Sequence, residues 1–108
     1  MKEIHEIIEK LRTFRDERNW KQFHTPENLA KSISIEASEL LENYQWGSQN
    51  ADIENVKEEV ADIFGYLLLL CDTLKIDLIN ETTKKIIKNE LKYPKEKAFG
   101  NSKKYNKL

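Results

Sequence analysis

Two short runs, EASE at residues 36–39 and EEVAD at residues 58–62, carry the residue types best suited to chemistry. Each places two acids three residues apart, Glu36 with Glu39 and Glu59 with Asp62. On a helix, positions i and i+3 are surface neighbours, so each run presents two carboxylates side by side. If the two helices are antiparallel neighbours whose pairs face one another, four carboxylates converge on one pocket. Like charges that close repel and raise one another's pKa unless divalent cations neutralise them. All four donors are hard oxygens, and no histidine follows any of these acids at i+3, so the Glu-x-x-His pattern of di-iron bundles is missing. Magnesium, with manganese as a substitute, suits an oxygen-only site. A magnesium ion that keeps waters and binds phosphate oxygens points to phosphoryl chemistry on a nucleotide. The bland alternative is that both pairs are solvated helix faces, which charged i, i+3 pairs commonly are.

Against that alternative stands the company these acids keep. Asp62 interrupts a run that is otherwise almost wholly apolar from Val60 to Cys71, and an ionised carboxylate buried there needs a cation against it. Glu36 falls in the stripe Leu29, Ile33, Leu40, where a leucine is expected, so it should point inward.

The elements that must hold these acids are helices. Ile4, Ile7, Ile8, Leu11 and Phe14 recur at three and four and predict a helix over roughly 2–18, with Arg12, Arg15 and Arg18 facing elsewhere. Thr25 as N-cap and Pro26 at the first helical position open a second helix. Gly47, Ser48 and Asn50 break the chain before a third, from about Asp52 to Leu74, and the short link makes helices two and three antiparallel neighbours. Asp77 reads as the N-cap of a fourth over about 78–91, ending before Pro94. The tail from Lys92 to Leu108 holds six lysines against Glu96 alone, and reads as either a mobile tail or an arm ordered by a partner chain. From Val60 to Leu70 the third helix is apolar round most of its circumference, which calls for burial on more than one side: a homodimer or larger assembly is expected, with a loosely covered monomer as the competing explanation.

Composition agrees with a single all-α domain over 1–108. Charged residues make up 34% of 108 residues with three glycines and two prolines, which favours helices over a turn-rich β fold. A net charge of −1 creates no global field for nucleic acid. The lone cysteine, Cys71, has no intrachain disulfide partner and reads as a structural thiol in a reducing compartment. With no signal peptide and no apolar run of the roughly 20 residues that span a membrane, the expected location is the cytoplasm.

The stretches FHTPENLAKSISIEASELLENYQW, EEVADIFGYLLLLCDTLKIDL and KKIIKNELKYP together resemble the MazG-type all-α nucleoside triphosphate pyrophosphohydrolases, in particular the short branch that includes dCTP pyrophosphatase. The likeness runs from about Trp20 to Pro94. It implies a helical bundle of the four-helix MazG-like type, completed by pairing into a dimer or a tetramer. It also implies magnesium-dependent cleavage between the α and β phosphates, releasing a nucleoside monophosphate and pyrophosphate, a house-cleaning activity on the nucleotide pool. The metal ligands implied are Glu36, Glu39, Glu59 and Asp62. Where the classical family has a further glutamate just before the first ligand, this chain has Ile35, which favours the dCTP pyrophosphatase-like branch or a relaxed substrate choice.

The same resemblance assigns Trp20 and Trp46, at the entry and exit of the second helix, to stacking on the base; sealing the ends of the bundle is the competing role. Lys85, Asn89 and Tyr93 match the pattern K-x-x-x-N-x-x-x-Y-P that the family uses near phosphates and sugar, with a solvated lysine as the alternative for Lys85. His24 and Asn28 begin the second helix, within reach of ligand, though His24 can equally be a loop histidine. Of the four acids, Glu39 is the favoured group to orient or deprotonate the attacking water. Two non-enzymatic readings compete: an interaction module whose acids bridge to the basic tail of a neighbouring subunit, and a sensor that binds nucleotide without turnover.

Overall fold

The structure, a computed structural model, describes residues 2–108. The described residues form helices joined by short turns, with α1 over Lys2–Glu17, α2 over Pro26–Glu42, α3 over Ile53–Leu74, α4 over Leu78–Lys92 and a single turn, α5, over Lys95–Ala98. Three 3-10 turns, Lys21–Phe23, Ser48–Asn50 and Tyr105–Lys107, complete them.

The helix starts follow local chemistry. Thr25 Oγ1 accepts from the Asn28 N–H at 3.2 Å, with Pro26 at the position where a missing N–H loses nothing. Asp52 caps α3 by accepting from Glu54 and Asn55, and Asp77 caps α4 by accepting from Asn80. Two helix ends share one closing geometry. Asn19 (φ 56°) and Lys75 (φ 58°) turn left-handed, so the Trp20 N–H reaches the Arg15 carbonyl at 3.0 Å and the Ile76 N–H reaches the Cys71 carbonyl at 2.8 Å. Asparagine tolerates that conformation better than lysine does. The first of these turns sets where Trp20 leaves α1.

The chain falls into two compact units, the first reaching Ile76 and the second running over Asp77–Leu108. In the first, α2 and α3 pack antiparallel, as the short link requires. Asn43 at the end of α2 donates to Asn55 near the start of α3 at 2.9 Å, while His24, just before α2, lies edge-on to Tyr66 in the second half of α3. Leu29, Leu68, Leu69 and Cys71 are the buried apolar side chains, and burial pushes the Cys71 thiol up. Helix α1 lies against α3, tied there by Arg12, which donates through Nε (2.9 Å) and Nη2 to the two carboxylate oxygens of Asp72.

The buried stripe of α1 is rotated from the expected one. Ile4, Ile8 and Leu11 are half-buried and Arg15, next in the series, is buried, whereas Ile7 and Phe14 are exposed. Arg15 therefore does not face away from the core as its charge suggested. Its carboxylate partner Asp16 sits beside it and offsets the burial of the guanidinium.

In the second unit, the Tyr93 N–H closes α4 on the Asn89 carbonyl at 2.8 Å, and Tyr93 meets Tyr105 edge-to-face at 6.2 Å. The Lys92 ammonium lies 5.0 Å from the Tyr105 ring centre, a cation–π distance. The lysine-rich segment thus carries one helical turn and one 3-10 turn. No helix among the described residues is long and apolar enough to cross a membrane.

Candidate active site

Because α2 and α3 run antiparallel, the EASE and EEVAD runs meet. One carboxylate oxygen from each of Glu36, Glu59 and Asp62 lies within 4.8 Å of the others. At that spacing the three carboxylates could hold one hard divalent cation. Glu39 is outside that trio but adjoins Glu36. It also lines an open polar depression of about 330 Å³ with Glu42, Asn43, Asn55 and Glu59.

Burial is distributed differently from the expectation. Asp62, set in its apolar run, is exposed, because at that azimuth α3 faces outward in the single chain. The acid that loses its water is Glu59, only 8% exposed. Glu59 Oε2 and Glu36 Oε2 are both buried without any hydrogen-bond partner. A buried, unsatisfied acceptor costs about 1–3 kcal/mol, more when charged. Such oxygens require a proton or a cation. The Glu36 carboxyl shows the first remedy: the facing Glu59 carboxyl, then burial, then Glu39 and Asp62, push it up to about 7. A hard divalent cation is the second, and the all-oxygen donor set fits one.

Beside the acids, a cleft of about 200 Å³ opens between α1 and α3. Phe14, Arg15, Trp20, His24, Asp62 and Tyr66 are among its walls, so Asp62 belongs to both cleft and cluster. Burial, with the charge of Arg15, holds His24 below its ordinary value, and its Nδ1 is buried and unpartnered. Burial and the charges of Glu36, Asp62 and Glu39 push the Tyr66 phenol up, which keeps its O–H a donor. Trp20 meets Phe14 edge-to-face at 5.8 Å.

Of the residues expected at the site, Glu36, Glu39, Glu59, Asp62, Trp20 and His24 come together on these two neighbouring surfaces. Asn28 instead spends its amide on the Phe23 carbonyl at 2.9 Å, bracing the turn before α2. Trp46 is 77% exposed and leaves the opposite end of α2 from Trp20, a helix of 17 residues or about 25 Å. Lys85, Asn89 and Tyr93 follow one another along α4 and its C-cap in the second unit. Sequence reasoning missed two cleft residues. Tyr66 was legible as i+4 from Asp62, and Arg15 as the next step after Ile4, Ile8 and Leu11.

Residues 31–108 match the MazG-like family. The chain belongs to that family. This MazG-like chain is 33% identical to human dCTP pyrophosphatase 1 and 32% identical to the mouse protein, each over 104 residues covering 88% of the chain and 61% of the relative. It spans about three fifths of the length of the curated relatives it matches. The crystal structure of a pyrophosphatase from Archaeoglobus fulgidus superimposes with a TM-score of 0.80 at 46% identity, covering 85% of this chain and 93% of that one. The all-helical MazG-like architecture expected from the sequence is thereby established for this chain.

Proposed function

We propose that this MazG-like chain is a magnesium-dependent nucleoside triphosphate pyrophosphohydrolase, with manganese as a substitute metal. It cleaves a deoxynucleoside or nucleoside triphosphate to the monophosphate and pyrophosphate, and clears the cytoplasmic nucleotide pool. The observation that carries this reading is the meeting of Glu36, Glu59 and Asp62 within 4.8 Å, with two buried oxygens unpartnered, at the edge of an aromatic cleft. The names of the human and archaeal relatives, dCTP pyrophosphatase and pyrophosphatase, support it.

In this reading Glu36, Glu59 and Asp62 hold the cation, with Glu39 completing the set. A bound divalent cation supplies charge neutralisation for phosphate oxygens and activation of water. Glu39, at the open polar depression, orients the attacking water and takes its proton. Trp20 stacks on the base at the cleft wall, and His24 and the Tyr66 O–H line the same space. Lys85, Asn89 and Tyr93 bind phosphates and sugar, and Asn28 contacts ligand from the start of α2 while its amide braces the turn carrying His24.

The active form is a homodimer or tetramer. Ile53, Val60 and Phe64 form an exposed apolar stripe on α3, and α4 exposes Ile79, Ile86 and Ile87; a stripe of that kind marks an interface. Trp46 joins Trp20 around one base only if a second chain supplies it, given the length of α2. The two compact units belong to one domain, since the family match over 31–108 crosses the boundary between Ile76 and Asp77.

Pyrophosphate release from a panel of ribo- and deoxyribonucleoside triphosphates, with magnesium and with a chelator, tests the proposal. Release that depends on magnesium is expected. Absence of cleavage of every nucleotide in the panel sinks it.

A further inference from the structure

Arg15 is the one charged side chain of α1 that is buried, with 6% of its side chain exposed, and it lines the cleft on the same wall as Phe14 and Trp20. Its Nε donates to Asp16 Oδ1 at 2.8 Å and its Nη2 to Asp16 Oδ2 at 3.3 Å. The Nη1 group makes no hydrogen bond among the described residues and is not one of their sealed, unpartnered polar atoms, so it keeps contact with solvent at the cleft. Asp16 itself is half exposed. Such a pair is a poor structural rivet, because an apolar side chain fills a buried position at less cost than a guanidinium does. A buried guanidinium with an idle donor at a cleft is built to meet a ligand.

A guanidinium carries only donors and does not lose its proton at any working pH, so its ligand atom must be an acceptor. Phosphate oxygens are drawn to the cation held by the acids on the α2–α3 side, whereas Arg15 stands on the α1 wall beside the rings that flank a base. We infer that Arg15 is a specificity residue of the cleft, donating through Nη1 to a ring carbonyl oxygen of the nucleotide base, while Asp16 orients it. This rests on the nucleotide reading proposed above.

The test uses the full chain with magnesium and the variants Arg15→Gln and Arg15→Lys. Neither strands a buried anion, because Asp16 is half in solvent. Steady-state KM and kcat are measured for pyrimidine deoxynucleoside triphosphates, whose rings carry carbonyls. The inhibition constant of a deoxyribose triphosphate lacking any base is measured alongside. A hydrogen bond to a charged donor predicts a KM about tenfold to a hundredfold higher for Arg15→Gln. The change in kcat should be smaller and the base-free inhibitor should bind as before, with Arg15→Lys intermediate. A KM that does not move while only thermal stability falls shows a structural Arg15 and overturns the inference. An equal weakening of the base-free inhibitor assigns Arg15 to phosphate and overturns it too. Wild-type protein that cleaves none of the panel defeats the nucleotide reading and this inference together, whereas active wild type with an indifferent Arg15→Gln defeats this inference alone.

Discussion

Glu36 and Glu59 face each other across the seam between α2 and α3, and each keeps an Oε2 that is buried and unpartnered. The nearness of the Glu59 carboxyl is the largest reason that Glu36 is pushed from 4.5 up to about 7. Near neutral pH the pair is therefore poised between holding a proton and holding a cation.

That poise has a signed consequence for the metal-free protein. A folded-state pKa raised above the unfolded value contributes stability that is fully present below about pH 4.5 and lost as pH rises through about 7. His24, held below its ordinary 6.5, works the other way, losing stability as pH falls below that value. Comparison with Glu36→Gln isolates the glutamate. In chelator, the melting temperature of wild type minus that of Glu36→Gln should fall between pH 5 and pH 7 and then level off, and a rise over that window contradicts the assignment.

Replacing the buried acid should stabilise the empty site. Glu59→Gln keeps the shape of Glu59, removes one charge from the cluster and supplies an amide donor for Glu36. In chelator near pH 7.5 it should gain about 1 kcal/mol, roughly 4–8 °C for a domain of about this size. The wild type should gain more than the variant on adding magnesium. Thermal melts with and without metal check both halves.

Asp62→Asn should abolish hydrolysis and leave the apo fold intact or firmer. Its exposure means that no buried partner is stranded, while loss of a ligand charge should cost about a hundredfold or more in rate. Normal turnover by a variant that melts far lower in chelator would falsify the role given to Asp62.

Arg12 and Asp72 join α1 to α3 through two hydrogen bonds, and Arg12 holds the Asp72 carboxyl below its usual range. That contribution is present above the ordinary carboxylate value and fades in acid as Asp72 takes up its proton. Because Arg12 is part-solvated, Asp72→Asn should cost only about 1 kcal/mol. Urea titration at pH 7 reads the loss, and it should shrink as the pH is lowered below the ordinary 3.8.

The apolar stripe on α3 bears on assembly. Phe64→Lys places a charge between exposed Val60 and buried Leu68. Light scattering should show the mass of a single chain for the variant and a multiple for wild type. A wild type already at one chain's mass refutes the assembled form.

Much of this molecule is legible in its amino-acid sequence. Thr25, Asp52 and Asp77 mark helix starts because capping depends on residues within three positions along the chain. The acid pairs declare themselves for a similar reason, since i and i+3 share a helix face wherever the helix goes. What only tertiary structure decided is which side of each face meets a neighbour. Periodicity places residues around their own helix axis but does not say how that axis is rotated against the next. So Glu59 and not Asp62 is the dehydrated acid, the stripe of α1 ends in Arg15 and not Phe14, and Tyr66 joins the cleft, each decided by the packing of α1 and α2 on α3.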